Sequence, residues 1–123
     1  MTVQIKGIYE PAGPAEGMRV LVDRVWPQRI SRFDARIALW AKDVAPSTEL
    51  RRWFGHKPER WAEFRRRYCA ELVQNAAVDE LKKLVRGKRV TLLYAARDTE
   101  HNHALVLATH LVRRPRRPAI PLC

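Results

Sequence analysis

A chain of 123 residues with 46% apolar content is long enough for one domain and too apolar to be disordered. Its unbroken apolar runs, such as 92–96 and 104–108, stop far short of the ~20 residues that span a bilayer, and its amino terminus lacks the apolar stretch of a secretory signal. We therefore expect a cytoplasmic protein with no membrane partner. Lys and Arg total 24 against 13 Asp and Glu, a net charge of +11, which points to anionic ligands or polyanions and says nothing of fold.

Residues 3–9 predict a first strand. The Pro- and Gly-rich stretch 10–17 is a loop, too short for a crossover helix, so the first two strands are either antiparallel or not neighbours. Residues 18–25 predict a second strand whose near-continuous apolar character implies burial on both faces. Trp26-Pro27 ends it. A polar connector follows over 29–35, then a short apolar patch of Ile37, Leu39 and Trp40. Pro46-Ser47 opens a short helix with Ser47 as N-cap, closed by Gly55. Lys57-Pro58 opens the next, with Pro58 at the favoured first position. In it Trp61, Phe64, Tyr68 and Leu72 recur at helical spacing, a stripe that reads as core rather than as a binding platform. Asn75 caps a third helix bearing Val78, Leu81, Leu84 and Val85, and Gly87 stops it.

Residues 89–95 predict a third strand. Asp98 or Thr99 caps a last helix with Leu105, Leu107, Ala108, Leu111 and Val112 facing inward. The expected fold class is α/β: a small three-layer domain over 1–112, with a mostly parallel sheet of three or four strands flanked by helices on both faces. A basic Pro/Arg-rich tail occupies 113–123. Cys69 and Cys123 form no CxxC pair and are expected as free thiols in a reducing compartment.

Open α/β sheets bind ligands beyond the carboxyl ends of their strands. Here the second strand ends in Asp23-Arg24 and the third in Arg97-Asp98, followed by His101-Asn102-His103, so the two stretches are expected to meet at one pocket. Asp23, Asp98, His101 and His103 are the acid/base candidates. Arg24, Trp26, Arg29, Tyr94, Arg97 and Asn102 are the ligand-binding candidates. Guanidinium groups grip phosphate or carboxylate in pairs of hydrogen bonds, a helix start offers free N–H groups, and Tyr94 with Trp26 and Trp53 offers an aromatic wall.

Simpler readings stand beside these. Arg24–Asp98 and Asp23–Arg97 ion pairs would brace the sheet end, the rings would be core, and Arg51, Arg52, Arg60, Arg65, Arg66 and Arg67 would be a solvated helix face. His101 and His103, two apart on a regular helix, point about 200° apart, so only one faces a pocket and joint metal ligation is disfavoured. No metal and no cofactor is expected. Arg113, Arg114, Arg116 and Arg117 in the tail suit salt-sensitive contacts to nucleic-acid phosphates, with no motif for reading sequence.

Four motifs together resemble the YeaO-like family of small bacterial proteins, classed as a domain of unknown function. They are Val22-Asp23-Arg24-Val25-Trp26-Pro27, Ala45-Pro46-Ser47, Leu50-Arg51-Arg52-Trp53-Phe54-Gly55-His56, and Leu92-Leu93-Tyr94-Ala95-Ala96-Arg97-Asp98 with His101-Asn102-His103-Ala104. The resemblance runs in order from about Ile5 to Leu111. It implies an α/β fold and no particular activity. A wider related group carries a Cys-His-Arg motif after a later strand; this chain has no cysteine there, which speaks against a thiol mechanism. Where the family usually reads Trp-Pro-Arg-Gly, this chain reads Trp26-Pro27-Gln28-Arg29, losing a glycine that takes left-handed backbone easily. The resulting expectation is an anionic-ligand pocket, acting by hydrolysis or transfer on a small phosphorylated or nucleotide-like substrate. The alternative is a nucleic-acid-associated protein that uses its basic surface and tail without catalysis. The oligomeric state is left open.

Overall fold

The computed structural model describes residues 2–112. Among them are four strands: β1 (Thr2–Gly7), β2 (Met18–Leu21), β3 (Leu39–Trp40) and β4 (Arg89–Tyr94). Their order is β1-β4-β2-β3 and every pairing is parallel. The fold is α/β. β1 and β2 are not neighbours, because β4 lies between them with Leu92 opposite both Ile5 and Val20. β4 is the most buried strand; Val90, Leu92 and Leu93 have no exposed surface, and burial of each contributes about 1.5–3 kcal/mol.

Four helices follow the sequence pattern: α1 (Thr48–Phe54), α2 (Trp61–Val73), α3 (Ala76–Val85) and α4 (His103–Val112). Ser47 caps α1 through a hydrogen bond from Leu50 N, Gly55 closes it in the left-handed conformation, and Asn75 caps α3 through Ala77 N. Strand alternation divides the core. Val20, Val22, Val90, Leu92 and Tyr94 pack against residues of all four helices. Leu21, Leu93 and Ile8 pack on the other face against Ala35, Ile37, Trp26, Ile30 and Trp40. The expectation that helices cover both faces is therefore corrected. The second covering layer is the irregular segment between β2 and β3, which buries a few apolar side chains without forming a helix.

Three further expectations are revised. The second strand stops at Leu21 rather than residue 25, because Asp23 turns its carboxylate back onto the sheet. The cap of α4 is Asn102, whose Oδ1 accepts from Leu105 N at 3.2 Å, so the inward face becomes Ala104, Val106, Leu107 and Leu111, while Val112 is exposed and Leu105 and Ala108 are half-buried. Cys69, expected as a free thiol, is buried on α2 and engaged in a disulfide. Cys123 and the tail arginines lie outside the described residues.

The amino-terminal end of the sheet is tied by Glu16. Its buried carboxylate accepts from Lys6 Nζ, Arg19 Nη1 and Gly13 N, its carbonyl accepts from Thr91 Oγ1 at 2.8 Å, and Arg19 Nε continues to Ala35 O at 2.7 Å. Gly17, at φ +67, permits this close approach, since a Cβ there would lie 2.1 Å from Arg89 O. Burial raises the Glu16 pKa, but the hydrogen bonds from Lys6 and Arg19 outweigh it and hold the group at about 2, below its ordinary 4.5. A depressed carboxylate stabilises the fold above its unfolded pKa and loses that contribution as pH falls through its folded pKa. The urea midpoint should accordingly fall as pH drops from 4.5 toward 2. The Glu16→Gln protein, less stable at neutral pH, should show a flatter profile over that range.

Candidate functional site

The carboxyl ends of β2 and β4 carry the site. Val22 N still bonds Leu93 O at 3.1 Å; one residue later Asp23 Oδ2 accepts from Ala95 N at 3.0 Å, pinning the two strand ends together. Beyond them lies a cavity of about 260 Å³, lined by Asp23, Arg24, Arg51, His56, His101 and His103, among others. Phe54 and Phe64 also line it, their rings stacked at 4.4 Å.

Each polar side chain here is positioned by a neighbour. His103 Nε2 lies 3.0 Å from Val22 O and 3.2 Å from Asp23 Oδ1. A carbonyl only accepts, so Nε2 carries the hydrogen and donates it to Val22. Asp23 Oδ1, a buried oxygen without a hydrogen bond of its own, is left facing that nitrogen. His101 Nδ1 donates to Asp98 Oδ2 at 2.9 Å, which turns its Nε2 into the acceptor. Asp98 in turn accepts from Glu100 N and His101 N. These bonds, led by that from Glu100 N, hold its carboxyl below the ordinary range. His101 rests edge-on against Trp61, and His103 against Tyr68. Tyr68, fully buried, donates to Val44 O at 2.6 Å, and burial pushes its hydroxyl pKa well up.

Arg24 reaches across to the segment before α1. Its Nε donates to Pro46 O at 3.2 Å and its Nη2 to Ala45 O at 3.1 Å, leaving Nη1 uncommitted. The segment it grips is itself locked. Ser47 N and Oγ donate to the two carboxylate oxygens of Glu71 on α2, at 2.8 and 2.7 Å.

The structure thus gathers Asp23, Arg24, His101, Asn102 and His103 in one pocket and leaves the other expected residues outside it. Asp98 stands behind His101. Trp26 packs edge-on to Trp40 at 5.2 Å and donates to Ile30 O; Tyr94 is buried toward the helices, where burial raises its pKa; Arg29 and Arg97 are exposed. Trp53 lies beneath the guanidinium groups of Arg67 and Arg60. Neither expected brace forms, since Asp23 pairs with His103, Asp98 with His101, and Arg24 with carbonyls. Both histidines reach the pocket because His101 precedes the helix, which removes the 200° argument. Asn102 is spent on structure, donating to Asp98 O while capping α4. No three His, Cys, Asp or Glu side chains among the described residues gather as metal ligands, and no helix is long and apolar enough to cross a membrane.

Two polar lining residues, Arg51 and His56, lay outside the expected site. Arg51 and Phe54, three apart on α1, share a face, but Arg51 had been grouped with the solvated arginines. His56 arrives through consecutive left-handed residues, Gly55 at φ 55 and His56 at φ 57, a path invisible to periodicity.

The chain as a whole is similar to other proteins. Residues 2–120 match the family model DUF488-N3i, described as the inactive DUF488-N3 subclade. The chain belongs to this family. An uncharacterised protein of Mycobacterium tuberculosis is 49% identical over 106 residues, covering 86% of this chain and 90% of its own. The uncharacterised protein YeaO of Escherichia coli is 43% identical over 112 residues, covering 90% of this chain and 97% of its own. No solved structure matches.

Two substitutions test how the site is held. Asp23→Ala leaves Ala95 N without its acceptor and His103 without its carboxylate. It should cost about 1–3 kcal/mol in chemical denaturation, whereas Asp23→Asn, which keeps an acceptor oxygen, should recover most of that. Arg29 adopts left-handed backbone at φ 61, which glycine takes more easily. Arg29→Gly should therefore raise the unfolding midpoint, by up to about 1 kcal/mol.

Proposed function

We propose that this chain binds a small anionic ligand at the β2–β4 strand ends and performs no covalent step on it. The observation that carries the reading is the charge of the pocket wall. Arg24 and Arg51 line it beside a single carboxylate, Asp23, already occupied by Ala95 N and His103. Arg24 is pre-organised by its two carbonyl bonds, so little side-chain entropy remains to be lost when Nη1 meets an anion. Arg51 is exposed at the rim and carries no ion pair among the described residues.

Size narrows the ligand. At about 260 Å³ the cavity falls just below the ~300–1,000 Å³ typical of drug-sized sites. It suits a phosphate-sized head group with a short body rather than a dinucleotide. The chemistry expected from the sequence is weakened by how the acids are used. Asp23 in the cavity wall and Asp98 behind it orient imidazoles, and among the described residues no Ser, Thr, Cys, Lys or Tyr side chain lines the cavity. The description of the family as an inactive subclade supports the same reading.

Isothermal titration of the full chain with inorganic phosphate, pyrophosphate and a nucleoside monophosphate tests the proposal. One probe should bind, and Arg51→Ala should weaken it by roughly tenfold, as expected for losing a charge-assisted hydrogen bond. Unchanged affinity in Arg51→Ala and Arg24→Met would overturn the assignment. Steady release of phosphate from pyrophosphate would overturn its non-covalent character.

A further inference from the structure

The segment that covers the second face of the sheet carries a feature the pocket does not use. Phe33 is 89% exposed, the most exposed of the large apolar side chains described. It stands at the tip of a hydrogen-bonded turn. Asp34 N donates to Ser31 Oγ, Ala35 N to Ser31 O, Arg36 N to Phe33 O and Ile37 N to Arg32 O. Arg32 straps the turn by donating to Ile37 O and Ala38 O, while Ala35 and Ile37 anchor it in the core. The ring is thus held out in water by an ordered support.

Arginines flank it along the chain, and Arg32 and Arg36 share its surface hollow. Arg29, Arg32 and Arg36 are exposed, with Asp34 the one acid between them. Arg29 and Arg36 both adopt left-handed backbone, at φ 61 and φ 51. A long side chain pays for that conformation, which glycine, asparagine or aspartate would take more readily. Strain kept at two arginines of one loop points to a use for their side chains. An outward ring beside outward guanidinium groups is the recognition chemistry of an unpaired nucleotide: a base stacks on the ring and flanking phosphates meet the cations.

We infer that the loop over 29–36 is a docking platform for single-stranded nucleic acid, with Phe33 stacking a base and Arg29 and Arg36 binding the phosphates on either side. Strength should fall steeply with salt, since the phosphate contacts release counterions, and sequence preference should be weak because every base has a stacking face.

Fluorescence anisotropy of a labelled oligothymidylate of roughly 12 nucleotides, titrated with the full chain at low and moderate salt, reads the platform. Phe33→Ala should weaken binding roughly 5- to 100-fold, the range for losing one stacked base, without altering the thermal midpoint. Arg29→Gly and Arg36→Gly remove charge while suiting the backbone, and each should weaken binding and flatten its salt dependence. Asp34→Asn should strengthen it. Equal affinity of wild type and Phe33→Ala would overturn the proposal and assign any residual binding to the basic tail. Loss of binding to anionic phosphatidylserine vesicles on Phe33→Ala, with oligonucleotide binding unchanged, would overturn it in favour of a membrane surface.

Discussion

The parallel pairing of β2 with β4 is the constraint on which the remainder of the structure rests, and the carboxylate of Asp23 completes it. Val22 makes the last ladder bond to Leu93. Asp23 then supplies a side-chain acceptor for Ala95 N where the ladder has run out. A buried N–H without a partner costs more than a made hydrogen bond gains, so an acidic residue at this point decides where β2 ends. It also decides which way the chain turns and how close the strand ends lie. His103, and through it the first turn of α4, is registered against the same carboxylate and the Val22 carbonyl.

The opposite end of the sheet follows the same logic with the other sign arrangement. One buried acid, Glu16, satisfies two cations and a backbone N–H. On the helical surface Glu63 holds Arg66 and Arg67, and Arg60 and Arg67 lie over Trp53. Much of the basic excess is thereby absorbed into structure. Among the described residues outside these contacts, Arg51 and His56 stand at the pocket rim, and Arg29 and Arg36 on the loop that presents Phe33.

The acid/base candidates hold one another for a physical reason. Carboxylates and imidazoles at one strand end are equally suited to moving protons and to holding each other. Which happens depends on distances of a few tenths of an ångström that sequence spacing does not encode. Asp98 bonds the turn that leads to α4 and the ring of His101, and Asn102, free-looking in the sequence, is the cap that α4 requires. The helix start moved by three or four residues from the expected cap because Asp98, Thr99 and Asn102 are all competent cap types. Only packing of Ala104, Val106 and Leu107 against the sheet chose among them.

Local chemistry alone determined much of this protein: the strands from their apolar runs, α1 and α3 from their caps at Ser47 and Asn75, and the left-handed stop at Gly55. It also determined the α/β class, since a helix-bearing connection between two buried strands favours parallel pairing. Only the tertiary structure decided the insertion of β4 between β1 and β2, the covering of one sheet face by an irregular segment, and the arrival of Arg51 and His56 at the pocket. These depend on contacts between residues distant in the chain, where burial on both sides of β4 outweighs any local preference. They depend also on backbone at Arg29, Arg36 and His56 that its own residues disfavour and the surrounding fold imposes.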